Sequence, residues 1–124
     1  MQTEGPLEGR RILVVEDEAA ISLMLEDLLT QAGAVVIGPA EDAASALRLI
    51  EAESIDCAVL DYRLVSSTSL PVADLLLARG VPFLFASGYD TGSIDPRFAS
   101  VPRVDKVFDE RELMDTIRTI LKLP

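Results

Sequence analysis

Four short apolar runs punctuate the chain: Ile12-Leu13-Val14-Val15, Ala34-Val35-Val36-Ile37, Cys57-Ala58-Val59-Leu60 and Phe83-Leu84-Phe85-Ala86. None alternates with polar residues, so each reads as a strand buried on both faces, as in a parallel sheet covered by helices. Helical periodicity fills the intervals. Ile21, Met24, Leu25, Leu28 and Ala32 share one face, with Glu26, Asp27 and Thr30 opposite, and Gly33 is placed to stop that helix. A second helix fits 43–52, with Ala43, Leu47 and Ile50 inward. A third fits 71–79, with Pro71 at its first position and Gly80 just past its end.

The last helix carries the fullest set of signals. Asp109 and Glu112 read as a capping box, Phe108 and Leu113 as a hydrophobic staple, and Leu113, Ile117, Ile120 and Leu121 repeat at helical spacing. A weak fifth strand fits 103–106. Strand-helix alternation of this kind predicts right-handed crossovers and a three-layer α/β sandwich. Between Ser87 and Lys106 the pattern fails: Gly88, Gly92, Pro96 and Pro102 punctuate a stretch with little apolar periodicity, so a fourth helix there is expected to be short or irregular. Residues 1–9 read as a flexible leader and 10–124 as one domain.

In an open parallel sheet, ligands bind beyond the carboxyl ends of the strands. The first run ends in Glu16-Asp17-Glu18, the third in Asp61, the fourth in Ser87-Gly88 and the fifth in Lys106. Each has a plainer reading. The acids could cap the following helix, Asp61 could be a loop acid, Ser87 a turn residue and Lys106 a solvated cation. Together they set two carboxylate sites, a hydroxyl and an amine on one predicted rim.

Composition narrows the chemistry. The 124 residues carry a formal charge of -10, one cysteine and no histidine. Histidine-ligated metals, imidazole catalysis and a Ser-His-Asp triad are excluded, and Cys57 alone can form no internal disulfide. The acid excess argues against nucleic acid and anionic membrane as direct partners. No apolar run approaches the roughly 18 residues of a membrane span. The single thiol and the lack of an export signal point to the cytoplasm.

The motifs "ILVVEDE", "CAVLDYRL", "FLFASGYD" and "RVDKVF", in this order and spacing, resemble the receiver domain of two-component response regulators. "DYRLVSSTSLPVADLL" and "FASGYD" are similar to its atypical FAT-GUY branch. The resemblance implies a flavodoxin-like (βα)5 fold with sheet order 2-1-3-4-5, which brings Glu16, Asp17 and Asp61 to one pocket. It also implies a phosphoprotein of phosphorelay signal transduction, not a classical enzyme, that binds Mg2+. Asp17 and Asp61 would be direct ligands, Glu16 would act through water, and the Arg63 backbone carbonyl would complete the protein set. Asp61 would be the phosphoacceptor. Ser87, the Gly88 amide and Lys106 would bind the phosphoryl oxygens. The donor would be a phosphohistidine on a sensor histidine kinase or histidine phosphotransfer protein, which agrees with the chain having no histidine. The 88–102 region, attached to Ser87, would reorganise on phosphorylation and signal to another protein by contact.

The chain departs from the common receiver pattern at several positions. Val107 replaces the proline that usually follows the lysine, and Arg103 replaces the aromatic residue three positions before it. Tyr89 is a candidate substitute for that aromatic. Val65-Ser66-Ser67-Thr68-Ser69 replaces a glycine-rich turn, and its hydroxyls are expected to bond the turn and cap the next helix. Two alternatives remain: a pseudo-receiver that acts as a scaffold without phosphorylation, and a haloacid dehalogenase-type phosphatase. The second would want an aspartate where Arg63 stands. Leu75, Leu76 and Leu77 on one short helix suggest either broad burial or a partner or homodimer face. With no effector sequence after Lys122, the chain would be either a stand-alone receiver or an excised one.

Overall fold

A computed structural model of the 124-residue chain describes residues 5–64, 67–87, 95–105 and 109–123, leaving aside the side chains of Arg63, Ser67 and Ser87. Strands β1 (Arg11–Val15), β2 (Val35–Ala40), β3 (Cys57–Asp61), β6 (Phe83–Ser87) and β7 (Arg103–Asp105) form one parallel sheet in the order β2-β1-β3-β6-β7. This is the flavodoxin-like 2-1-3-4-5 order. Helices α1 (Ala19–Gln31), α2 (Ala43–Ala52), α3 (Leu70–Ala78) and α4 (Glu110–Ile120) cover its two faces.

The unbroken apolar runs are explained by this layering. Along β1, Leu13 and Val15 face a core shared with α2 and α3, through Ala46, Ile50, Val72 and Leu76. Ile12 and Val14 face the opposite core, shared with α1 and α4 through Leu25, Leu29, Leu113 and Ile117. Burial of both faces leaves no position for a polar residue. All five residues of β3 are buried, as befits a strand at the centre of the sheet.

β2 departs from the expectation. It pairs only with β1, so it is an edge strand, and Val35 is exposed. Pro39, which has no N–H to donate, is tolerated at such an edge. The pairing register slips between Leu13 and Val15, where Leu13 lies opposite Ile37 and Val15 opposite Ala40.

The helix ends follow the expected chemistry. Gly33 (φ 93°) and Gly80 (φ 70°) adopt the left-handed conformation just beyond α1 and α3, where a side chain would be strained. Asp109 accepts hydrogen bonds from the Arg111 and Glu112 amides and caps α4. Phe108, the other half of the proposed staple, lies outside the described residues. In α1, Leu29 joins Leu25 at the core, and in α2 Ala46 and Ile50 are the buried pair, with Ala43 and Leu47 at its margin. Of the three consecutive leucines in α3, Leu76 is fully buried and Leu75 packs at the core's edge, while Leu77 is 60% exposed.

Two features were not anticipated. A two-stranded antiparallel hairpin, β4 (Arg63–Leu64) and β5 (Ser67–Thr68), follows β3 directly. Residues 5–9, read as leader, fold back onto α1: the Leu7 amide bonds the Ala32 carbonyl at 2.9 Å and the Leu7 side chain is fully buried. The irregular stretch before β7 keeps, among its described residues, a single 3-10 turn over Pro96–Phe98. Among the described residues, no helix is long and apolar enough to cross a membrane.

Candidate functional site

The site forms where β1 and β3 end side by side. Val15 pairs with Leu60, so the residues after them, Glu16 and Asp61, emerge next to each other on the carboxyl rim. The Glu16 amide bonds the Ala40 carbonyl at 2.9 Å, which carries the chain one residue past the end of β1 before it turns. The Ser22 hydroxyl donates to the Glu16 carbonyl at 3.3 Å and fixes the start of α1 against that turn.

Four carboxylates converge there. One oxygen each from Glu16, Asp17, Glu18 and Asp61 lies within 4.8 Å of the others. Glu16 is 2% exposed and Asp61 3%, whereas Asp17 is half-buried and Glu18 is exposed. The Glu18 amide donates to a Glu16 carboxylate oxygen at 3.1 Å, holding that side chain in the cluster. Glu18 also occupies the N-cap of α1, but its side chain makes no capping bond. Glu18 therefore does not cap the helix through its side chain, as a plainer reading would have it.

This arrangement fits a hard divalent cation. Carboxylates this close repel one another. A bound cation would offset that repulsion. The donors are all oxygen, which suits magnesium over the softer transition metals.

The expected residues divide into those the structure gathers and those outside its described part. Glu16, Asp17 and Asp61 are gathered, and Glu18 joins them. The backbone of Arg63 lies two residues beyond Asp61, at the start of β4, paired with Thr68. The backbone of Ser87 ends β6, whose Ala86 pairs with Asp61, so Ser87 follows on the same rim. Gly88, Tyr89, Lys106 and Val107 lie outside the described residues. The hydroxyl-rich turn after Asp61 makes the expected turn bonds where it is described, but Ser69, at the N-cap of α3, makes no side-chain capping bond. The Leu70 amide bonds the Thr68 hydroxyl at 3.3 Å, and buried Ser69 donates its hydroxyl to the Tyr62 carbonyl at 3.4 Å.

Cys57 takes no part in this chemistry. It lies on β3 in the α1–α4 core, and burial, helped by the neighbouring Asp56 carboxylate, pushes its thiol up to about 12. It is therefore a neutral packing group at physiological pH.

Comparison with known proteins agrees with the geometry. The solution structure of SdrG from Sphingomonas melonis Fr1 matches with a TM-score of 0.77 at 39% identity, over 92% of this chain and 94% of that one. The BeF3-activated conformation of SdrG, from Pseudomonas melonis Fr1, matches with a TM-score of 0.76 at 36% identity, over 97% and 99%. The PhyR receiver domain of Erythrobacter litoralis matches with a TM-score of 0.80 at 27% identity, over 95% and 94%. These neighbours are consistent with the FAT-GUY resemblance. The transcriptional regulatory protein PdtaR of Mycobacterium tuberculosis is 28% identical over 72 residues, 58% of this chain but only 35% of PdtaR. The chain thus spans well under half the length of that relative. The model of the response regulator receiver domain matches residues 12–118, and the chain belongs to that family.

Proposed function

We propose that Asp61 accepts a phosphoryl group from a phosphohistidine of a sensor histidine kinase or histidine phosphotransfer protein. The observation that carries this reading is the convergence of Asp61 with Glu16, Asp17 and Glu18 on the carboxyl rim of the sheet. Membership of the receiver family supports it. A Mg2+ ion held by Asp17 and Asp61, by Glu16 through water and by the Arg63 carbonyl would offset negative charge on the transferring group.

The protein's own part is positioning. β3 ends on Asp61 and sets its carboxylate within the cluster on the rim. One oxygen of that carboxylate attacks phosphorus in line. The new O–P bond forms as the P–N bond to imidazole breaks, and the imidazole leaves with the bonding electron pair and then takes a proton. The Asp61 carboxylate needs no general base, so a chain without histidine can perform this half of the transfer. In this reading Ser87, the Gly88 amide and Lys106 bind the phosphoryl oxygens. Water later hydrolyses the acyl phosphate and restores Asp61.

The added group carries about two negative charges and strong acceptor oxygens. That charge is the signal, expressed through the 88–102 region as altered contact with another protein. We assign the exchange to the cytoplasm.

Incubation with a panel of autophosphorylated histidine kinases tests this reading. At least one kinase is expected to lose label to the wild-type chain and to keep it in the presence of Asp61→Asn. A chain that takes no label from any kinase, nor from a small phosphodonor with magnesium, would be a scaffold instead.

A further inference from the structure

Directly after Asp61, the chain places a tyrosine whose ring is buried. Tyr62 is 6% exposed, and it packs edge-on against Phe85 of β6 with ring centroids 5.3 Å apart. A buried phenol needs a hydrogen-bond partner. One that it takes is the backbone amide of Asp95, 33 residues along the chain, which donates to the Tyr62 hydroxyl at 3.0 Å. Ring packing alone would be served equally well by phenylalanine, whereas this bond requires the hydroxyl.

Asp95 is the hinge point of a small unit. Its carboxylate accepts from the Arg97 amide at 2.9 Å and caps the 3-10 turn of Pro96–Phe98. Phe98 is buried against Phe83 and Phe85, with centroids 6.0 Å from each. The Arg97 guanidinium lies over the Phe98 ring, 5.1 Å from its centroid, and reaches Asp74 of α3 at 2.9 Å. A continuous set of contacts therefore runs from the residue beside Asp61 to an exposed ion pair on the α3 side of the molecule.

We propose that the Tyr62 hydroxyl is a latch. It holds the Asp95–Phe98 turn against α3 while Asp61 is unmodified and releases it when Asp61 is phosphorylated. This rests on the reading of Asp61 as phosphoacceptor. The turn is tied to both sides of the site, through Tyr62 after Asp61 and through Phe85 two residues before Ser87. Displacement of either side changes the distance that the Tyr62–Asp95 bond must span. A neutral hydrogen bond has a modest net strength, which suits a contact that must break in response to a charge change next door. Tyr62 is thus a positioning residue: it does not touch the phosphoryl group but transmits its presence.

The test is amide hydrogen exchange of wild type and Tyr62→Phe, each with and without beryllofluoride and magnesium, with fluorine NMR reporting whether the mimic is bound. In free wild type the Asp95 amide should be protected, and bound mimic should speed its exchange by roughly fivefold to tenfold, the worth of one such bond. In Tyr62→Phe the amide should already exchange at the faster rate, and bound mimic should change it no further. A variant that binds the mimic and still shows the wild-type response at residues 95–98 overturns the latch and leaves Asp61 as phosphoacceptor untouched. A variant that cannot bind the mimic also overturns it, since Tyr62 would then belong to the site itself. Failure of wild type to bind the mimic overturns the reading of Asp61, and the latch with it.

Discussion

Asp17 and Asp61 differ in burial, and this sets what each is expected to do when replaced. Asp61 ends a fully buried strand, so Asp61→Asn keeps the shape of the site and removes only the nucleophile and one charge. Asp17 is half-buried at the mouth of the cluster. Even the outer partners of a metal site commonly cost tenfold or more in affinity when lost, and Asp17 would be a direct ligand. Asp17→Ala is accordingly expected to weaken magnesium binding by at least about tenfold, measured by titration calorimetry, with the fold intact by circular dichroism. Unchanged affinity would remove Asp17 from the ligand set. Cys57 gives a contrasting prediction. Buried and held as a neutral thiol, it should resist alkylation at neutral pH until the chain is unfolded, which mass spectrometry after iodoacetamide treatment checks directly. At this scale Glu16, Asp17 and Asp61 are legible in the sequence because Glu16 and Asp61 directly follow apolar runs that end on the rim and Asp17 is the next residue after Glu16. Glu18 was within the same acidic run, but only the turn after β1, closed by its amide on Glu16, shows that it folds back into the cluster. The bond between Tyr62 and Asp95 left no local trace, because it joins residues 33 positions apart through one hydroxyl.

The elements stand on caps and edges as much as on their apolar faces. Removal of the Asp109 side chain leaves the Arg111 and Glu112 amides without their capping acceptor, and Asp109→Ala should cost about 1 kcal/mol in chemical denaturation. Asp42 caps α2 by accepting from the Ser45 amide at 2.7 Å, and that bond holds its carboxyl below the ordinary value of 3.8. A depressed carboxyl stabilises the fold fully above its unfolded value and loses that contribution as pH falls through its folded value. The stability difference between wild type and Asp42→Ala should therefore persist at neutral pH and shrink on acidification below 3.8, as read from melting curves across pH. Most elements were legible because proline, glycine and acids mark their ends and apolar residues fill their cores. β2 was misjudged because four apolar residues look the same at the centre of a sheet and at its edge; pairing decides between them. The β4–β5 hairpin was missed because its short strands carry no apolar pattern at all.

At the scale of the whole molecule, two apolar layers close on one sheet and leave the acidic cluster on its carboxyl rim. Leu7 extends the α1-side layer beyond the first strand, which makes the segment before β1 part of the fold. Leu7→Ala should cost roughly 2 kcal/mol or more by denaturation, as expected for a truncated core leucine. A negligible cost would mean that the segment contributes little to stability. The strand-helix alternation made the three layers legible, whereas the sheet order came from resemblance, since apolar runs do not say which strands pair. The formal charge of -10 likewise resolves only in three dimensions: part of it is concentrated in one cluster, and the remainder is spread over the surface. The most direct test of the account is to treat the chain with acetyl phosphate and magnesium, weigh it by intact-mass spectrometry, and map the modified residue after borohydride reduction. One acid-labile phosphoryl group per chain, located at Asp61 and absent from Asp61→Asn, is the expected result. No incorporation, or incorporation undiminished in Asp61→Asn, would contradict it.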